Sequence, residues 1–208
     1  MKKLLVMFAF AGLTTAANAQ KETILLSANG IYDNGGGVAF EGNKEGARSS
    51  GWQINPSIGY QFNDNWTVGL NLGVGGDRQE TAAESDNYSK GSNFLAGVFL
   101  RYTKNVSPIF DIYGQANLSY LHTKNNPYDA NDNDDDATKQ NGFQIDVMPA
   151  VAVNVKNGFK LNFAFGGIGF RTMKVDVDGA EASNKFFLNF GQHWNIGISK
   201  NFSVKRMK

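Results

Sequence analysis

Arg101 and Asp111 carry opposite charges and lie almost symmetrically about the short polar segment 103–108. If that segment turns one strand back on the next, both side chains fall on the same face and can form an ion pair across it. Tyr113 and Gln115 follow Asp111 at period two, and Asp146 lies on the polar side of a later alternating stretch. Arg101, Asp111, Tyr113, Gln115 and Asp146 are therefore expected to plug whatever interior the strands enclose. A second group, Asp129, Asn131, Asp132, Asn133, Asp134, Asp135 and Asp136, has oxygen ligands at calcium-loop spacing. Its sixth position is Asp134, where the turn needs Gly, and its twelfth is Gln140, where a bidentate Glu belongs. A solvated surface loop without a specific metal site is the expectation.

Nucleophilic catalysis has little to draw on. The chain has two His residues and no Cys, which excludes disulfide scaffolds, zinc–thiolate sites and thiol chemistry. His122 is three positions from Ser119, so period two sends the two side chains to opposite faces. His193 lies between Asn189 and Asn195 with no Ser beside it, and no G-x-S-x-G elbow occurs. No catalytic residue and no cofactor are expected.

The elements that must position these side chains are strands. Trp52, Ile54, Pro56, Ile58, Tyr60 and Phe62 alternate with Gln53, Asn55, Ser57, Gly59 and Gln61. After the turn cluster Asn63-Asp64-Asn65, Trp66, Val68, Leu70, Leu72 and Val74 continue the pattern. The same period-two signal covers Phe94–Tyr102, Phe110–Tyr120, Phe143–Val155, Phe159–Gly166 and Phe186–Phe202, with Asn157-Gly158 as a hairpin cue. With a first strand near Ile24–Tyr32 the count reaches eight. Short connections at 63–65, 103–108 and 156–158 alternate with long polar ones at 33–50, 75–92, 122–141 and 171–184. All long loops then fall at one end, as in a transmembrane up-and-down antiparallel β-barrel.

A soluble barrel alternates too, with its apolar side inward. Here the polar face is built from Asn, Gln, Ser, Thr and Gly, and charged residues are only 19% of the chain, too few for a face in bulk water. Aromatic residues on the apolar face collect at strand ends: Tyr60, Phe62, Trp66, Tyr102 and Phe202 at one end, Trp52 and Tyr120 at the other. Two such rings are the girdles of the two membrane interfaces. Lys200 is the lone charge on that face, placed where its stem can snorkel past Phe202.

Met1–Ala19 has two lysines, an apolar run from Leu4 and a terminal Ala17-Asn18-Ala19. It reads as a signal peptide cleaved near Ala19/Gln20, too short to span a bilayer. The rest, 20–208, is one barrel domain. With 20 basic and 19 acidic residues in the whole chain, the charge balance removes the case for a nucleic-acid partner.

Gly59-Tyr60-Gln61-Phe62-Asn63-Asp64-Asn65-Trp66-Thr67-Val68-Gly69-Leu70 resembles the G-Y-x-F-x-x-N-W-x-x-x-L hairpin of small Gram-negative outer-membrane barrels. That is the porin-type family of the OmpA transmembrane domain and the OmpX-like proteins. Phe94–Tyr102 is similar to the family's fourth strand. The resemblance covers the mature chain and implies a monomer held in outer-membrane lipid and lipopolysaccharide and inserted by the barrel assembly machinery. It implies an anchor that displays loops and supports envelope integrity, passing small solutes only if its plug moves. Two features depart from the family: no peptidoglycan-binding domain follows, and Ser203–Lys208 extend past the final aromatic residue, Phe202. The alternative function is an outer-leaflet enzyme that modifies lipid A, which some barrels of eight strands carry.

Overall fold

Asn157 and Gly158 both take left-handed backbone, with φ of 53° and 76°, which a two-residue hairpin turn demands and Asn-Gly supplies at least cost. At the other short turns a side chain does the work. Asn63 Oδ1 accepts from the backbone N–H of Asn65 and Trp66 at 2.9 and 2.8 Å, and Ser107 Oγ accepts from Ile109 and Phe110. These local bonds return each chain segment antiparallel to its predecessor.

The computed structural model describes residues 23–36, 48–80, 88–127, 137–190 and 195–203. Residues 1–19, expected to be a signal peptide, the acidic stretch 129–136, His193 and residues 204–208 lie outside them. The described strands are β1 (Thr23–Gly36), β2 (Arg48–Gln61), β3 (Trp66–Glu80), β4 (Tyr88–Asn105), β5 (Phe110–Pro127), β6 (Thr138–Lys156), β7 (Phe159–Ala164), β8 (Ile168–Val175), β9 (Ala182–Leu188) and β10 (Asn195–Ser203). Each of β1 to β6 pairs antiparallel with the next. β6 then pairs with β7, β7 with β10 and β10 with β1, so the pairings run in a closed ring of eight. Farther along, β6 pairs with β8 and β8 with β9. β7 with β8, and β9 with β10, are therefore successive stretches of two single wall positions.

The break between those stretches was not expected from the sequence. Gly166 takes φ 80°; the Gly167 N–H donates to Asn189 Oδ1 at 2.7 Å, and the Asn189 N–H donates to the Gly167 carbonyl at 3.0 Å. An Asn side chain thus replaces a rung of the ladder at the interruption. A second difference concerns the long loop expected at 171–184: β8 and β9 pair from Ile168 with Leu188 to Lys174 with Ala182, leaving a turn at 176–181. The third is register. Arg101 pairs with Gln115 and Asn105 with Asp111, so the turn is 106–109 and not 103–108, and Arg101 and Asp111 are not opposite each other.

Which face is apolar follows from exposure. Leu70, Leu72, Val98, Leu118, Ile145 and Val147 point outward and are exposed, Leu70 to 57%, while Phe99 on the inward face keeps 2%. A continuous apolar outer wall of this extent has no place in water and suits lipid. Space inside is scarce. Gly59 and Gly69 are register partners, and a Cβ added to Gly69 would lie 2.6 Å from Phe99 Cε1 and 2.6 Å from Gly59 Cα. The Phe99 ring occupies the room that two missing side chains leave, a burial worth about 2–3 kcal/mol.

Candidate functional site

Inward-facing residues of β4 to β8 form a polar column along the lumen. At its short-turn end Asp111 is completely buried; its Oδ2 lies 2.6 Å from Lys160 Nζ, and its Oδ1 accepts from Asn105 Nδ2 at 2.8 Å. The ion pair expected with Arg101 is thus made with Lys160 of β7. A four-residue change in pairing across the 106–109 turn carries Arg101 away from Asp111, while the β6–β7 hairpin sets β7 on the far edge of β6, from where Lys160 reaches Asp111 past the small side chain of Ala152.

Arg101 heads a separate chain of bonds. Its Nε donates to Gln115 Oε1 at 2.7 Å, and Gln115 Nε2 donates to Asn117 Oδ1 at 2.8 Å. Asn117 Nδ2 and Gln144 Nε2 donate to the two carboxylate oxygens of Asp146, each at 2.7 Å, and Arg171 Nε donates to Gln144 Oε1 at 2.7 Å. The guanidinium of Arg101 also lies over the Tyr113 ring, 4.3 Å from its centroid, and 5.5 Å from that of Phe99. Each member of the chain holds its neighbour's rotamer, and a buried polar group so satisfied is not left as an unpaired cost.

Tyr113 and Arg101 lie where two cavities meet. One, of about 460 Å³, is lined by Asn29, Gln53, Asn93, Asn117, Asp146 and Arg171 among others, toward the long-loop end. The other, of about 220 Å³, is lined by Thr23, Gln61, Thr67, Arg101, Lys160 and Asn201 toward the short-turn end. Tyr113 borders both. Of the five residues proposed from the sequence, the structure puts Arg101, Tyr113 and Gln115 together at this constriction, Asp111 below it and Asp146 above it. Sequence reasoning missed Lys160, Asn117, Gln144 and Arg171. Lys160 could have been noticed as a cation at a lumen-facing position of an apolar–polar alternation; its partner could not, because β5 and β7 are not neighbours in sequence.

The aromatic residues proposed as girdles stand on or beside the outer wall. Trp66 and Tyr102 are register partners with rings edge to face, centroids 4.9 Å apart, and Tyr120 and Phe143 repeat this at the other rim at 5.6 Å. Trp52, Trp66, Tyr102, Tyr120 and Phe202 are exposed, whereas Tyr60 and Phe62 are half-buried. Lys200 Nζ lies over the rings of Phe159 and Phe202, at 4.4 and 5.0 Å. His122 Nδ1 and Tyr120 Oη both donate to Asn141 Oδ1, at 2.7 and 2.6 Å. Ser119 is buried on the lumen side, so Ser119 and His122 do not form a nucleophile and base. Among the described residues no cluster of His, Asp or Glu could hold a metal ion, and no helix is long and apolar enough to cross a membrane.

A closed ring of antiparallel strands with an apolar outer wall, aromatic rims and a hydrogen-bonded polar lumen defines a transmembrane β-barrel. The sequence model described as outer membrane protein beta-barrel domain matches residues 4–202. The chain belongs to that family of outer-membrane β-barrel proteins. Among solved structures it is similar to the N-terminal barrel of Pseudomonas aeruginosa OprF, at 12% identity and TM-score 0.48, covering 88% of this chain and 98% of that one. Neisserial surface protein A matches at 15% identity and TM-score 0.39, over 87% of this chain and 96% of that one. Yersinia pestis Ail, solved with the heparin analogue sucrose octasulfate, matches at 10% identity and TM-score 0.41, over 88% and 97%. No curated protein sequence matches the chain.

Proposed function

We propose that the protein is a non-enzymatic, monomeric anchor of the Gram-negative outer membrane. It displays the segments between its strands at the cell surface, supports envelope integrity, and passes small solutes only when its lumen plug moves. The reading takes residues 1–19 as a signal peptide removed near Ala19/Gln20, the barrel assembly machinery as the inserting partner, and lipid with lipopolysaccharide as the surroundings. One observation carries it: Arg101, Tyr113 and Gln115, bonded to one another or stacked, stand between two lumen cavities that share Tyr113 as a border. A barrel of eight strands is only wide enough for side chains to fill its interior, so the column blocks a permanent aqueous path. The experiment is refolding of the chain into liposomes, with heat-modifiable migration to report the barrel and swelling in sugar solutions to report permeation. Folded protein without swelling is the expected result; swelling comparable to that of a general porin would overturn the anchor reading.

A further inference from the structure

Lys160 is answered by Asp111, and Arg171 reaches Asp146 through Gln144. Arg101, the one buried cation among the described residues, keeps only 4% of its exposure and has no carboxylate partner there. Its Nε donates to Gln115 Oε1, and its guanidinium lies over the rings of Tyr113 and Phe99. Burial does not neutralise a guanidinium, which stays charged in proteins. A buried charge with no opposite charge against it is costly, and one amide oxygen with two ring faces offsets only part of that cost. Four more N–H donors sit on the two Nη atoms, and no described residue accepts a hydrogen bond from them.

Arg101 lines the lower lumen cavity, of about 220 Å³, and not the upper one, so these donors turn toward the short-turn end. Lys160 stands on the same border, partly exposed, with two N–H donors beyond the one given to Asp111. Thr67, the register partner of Arg101 on β3, and Thr103, two residues farther along β4, add hydroxyls beside the guanidinium. Asp64 is the carboxylate bordering this space; it is exposed on the turn three residues before Thr67. Asn201 Oδ1, also on the border, has no protein donor and suits water, not an anion. At about 30 Å³ per water, the cavity has room for a small anion and several waters. Tyr113 at its upper end leaves the short-turn end as the way in.

We propose that the lower lumen cavity binds one small inorganic anion, held by the Nη groups of Arg101 with Lys160 Nζ and the Thr67 hydroxyl. The site needs the closed barrel and is independent of the anchor role and of permeation. Charge-assisted bonds from a guanidinium fork and an ammonium are the donor set that small oxyanions and halides take. The test uses the full chain with isotopically labelled arginine, refolded in neutral detergent and titrated with sodium phosphate or sodium chloride. An organic disulfonate too large for the cavity holds the ionic strength constant. The Arg101 Nε–H resonance, assigned by its loss in R101Q, should shift saturably with at least one of the two ions, half-way at or below about 10 mM. The urea midpoint of the wild type should rise with that ion, as binding to the folded state requires. K104Q, at an exposed lysine near the same end, should keep that rise, R101K should keep part of it, and R101Q should lose it. Heat-modifiable migration reports the folding of each variant; if R101Q does not fold, the wild-type resonance and the R101K midpoint decide. A resonance that saturates with neither ion, the mark of water only, or a midpoint that rises as much in R101Q as in the wild type, would overturn the site.

Discussion

Replacing Lys160 with Met removes the ammonium whose Nζ lies 2.6 Å from Asp111 Oδ2. At that distance the attraction is roughly 6 kcal/mol for an effective dielectric of about 20, but both groups have lost water to make it. Asp111 is fully buried, whereas Lys160 keeps 20% of its side-chain exposure. The K160M variant therefore leaves a carboxylate with Asn105 Nδ2 as its remaining side-chain donor, and the expected loss is about 3 kcal/mol, the low end for breaking a buried pair. D111N leaves a lysine that can reach solvent and should cost less, about 1–2 kcal/mol. The double variant should recover about 2 kcal/mol relative to the sum of the singles. Urea titration in lipid vesicles, followed by tryptophan emission and by heat-modifiable migration, measures all four corners of the cycle. Coupling below about 0.5 kcal/mol would refute the assignment. So would a larger coupling between R101M and D111N, the pair that symmetry about residues 103–108 suggests.

Three further outcomes are expected. R101A/Y113A removes the partition between the two lumen cavities and should add discrete conductance steps in planar bilayers that the wild type lacks; unchanged silence would show that other side chains close the lumen. G69V puts two methyl groups into the Phe99 ring and the Gly59 backbone, and should lower stability by about 1–3 kcal/mol in the same urea assay, whereas G114A, with nothing within 4 Å of the added carbon, should change it by less than about 0.5 kcal/mol. W66A removes an edge-to-face partner of Tyr102 at the short-turn rim and should cost about 1–3 kcal/mol in vesicles; an unchanged urea midpoint would argue against a load on that girdle.

Much of the wall was legible in the residue order. Alternation fixes which side chains share a face, because a strand has period two whatever it pairs with. It therefore assigned Arg101, Asp111, Tyr113, Gln115 and Asp146 to the interior side, and Leu70, Leu118 and Ile145 to the outer side, before any pairing was known. The extent of the strands was less legible. Polar residues such as Ser89, Lys124 and Lys139 look like loop by composition, yet they continue β4, β5 and β6 past the rim, where both faces meet water and alternation loses its contrast. The interruption at Gly166 and Gly167 does leave a local trace: the outward apolar residues change parity across it, from Phe159, Leu161 and Phe163 to Ile168 and Phe170, as two residues out of the ladder require.

The sequence by itself determined the class of protein: period-two faces, short and long connections in alternation, aromatic strand ends and an uncharged polar side are local properties that each strand carries alone. Tertiary structure decided who touches whom. Register across the 106–109 turn separated Arg101 from Asp111, and the registers of β5 with β6 and of β6 with β7 together set Lys160 against Asp111 from a strand that is not its neighbour in the chain. The physical reason is that parity constrains a strand modulo two, whereas register needs turn geometry and closure needs all the registers together.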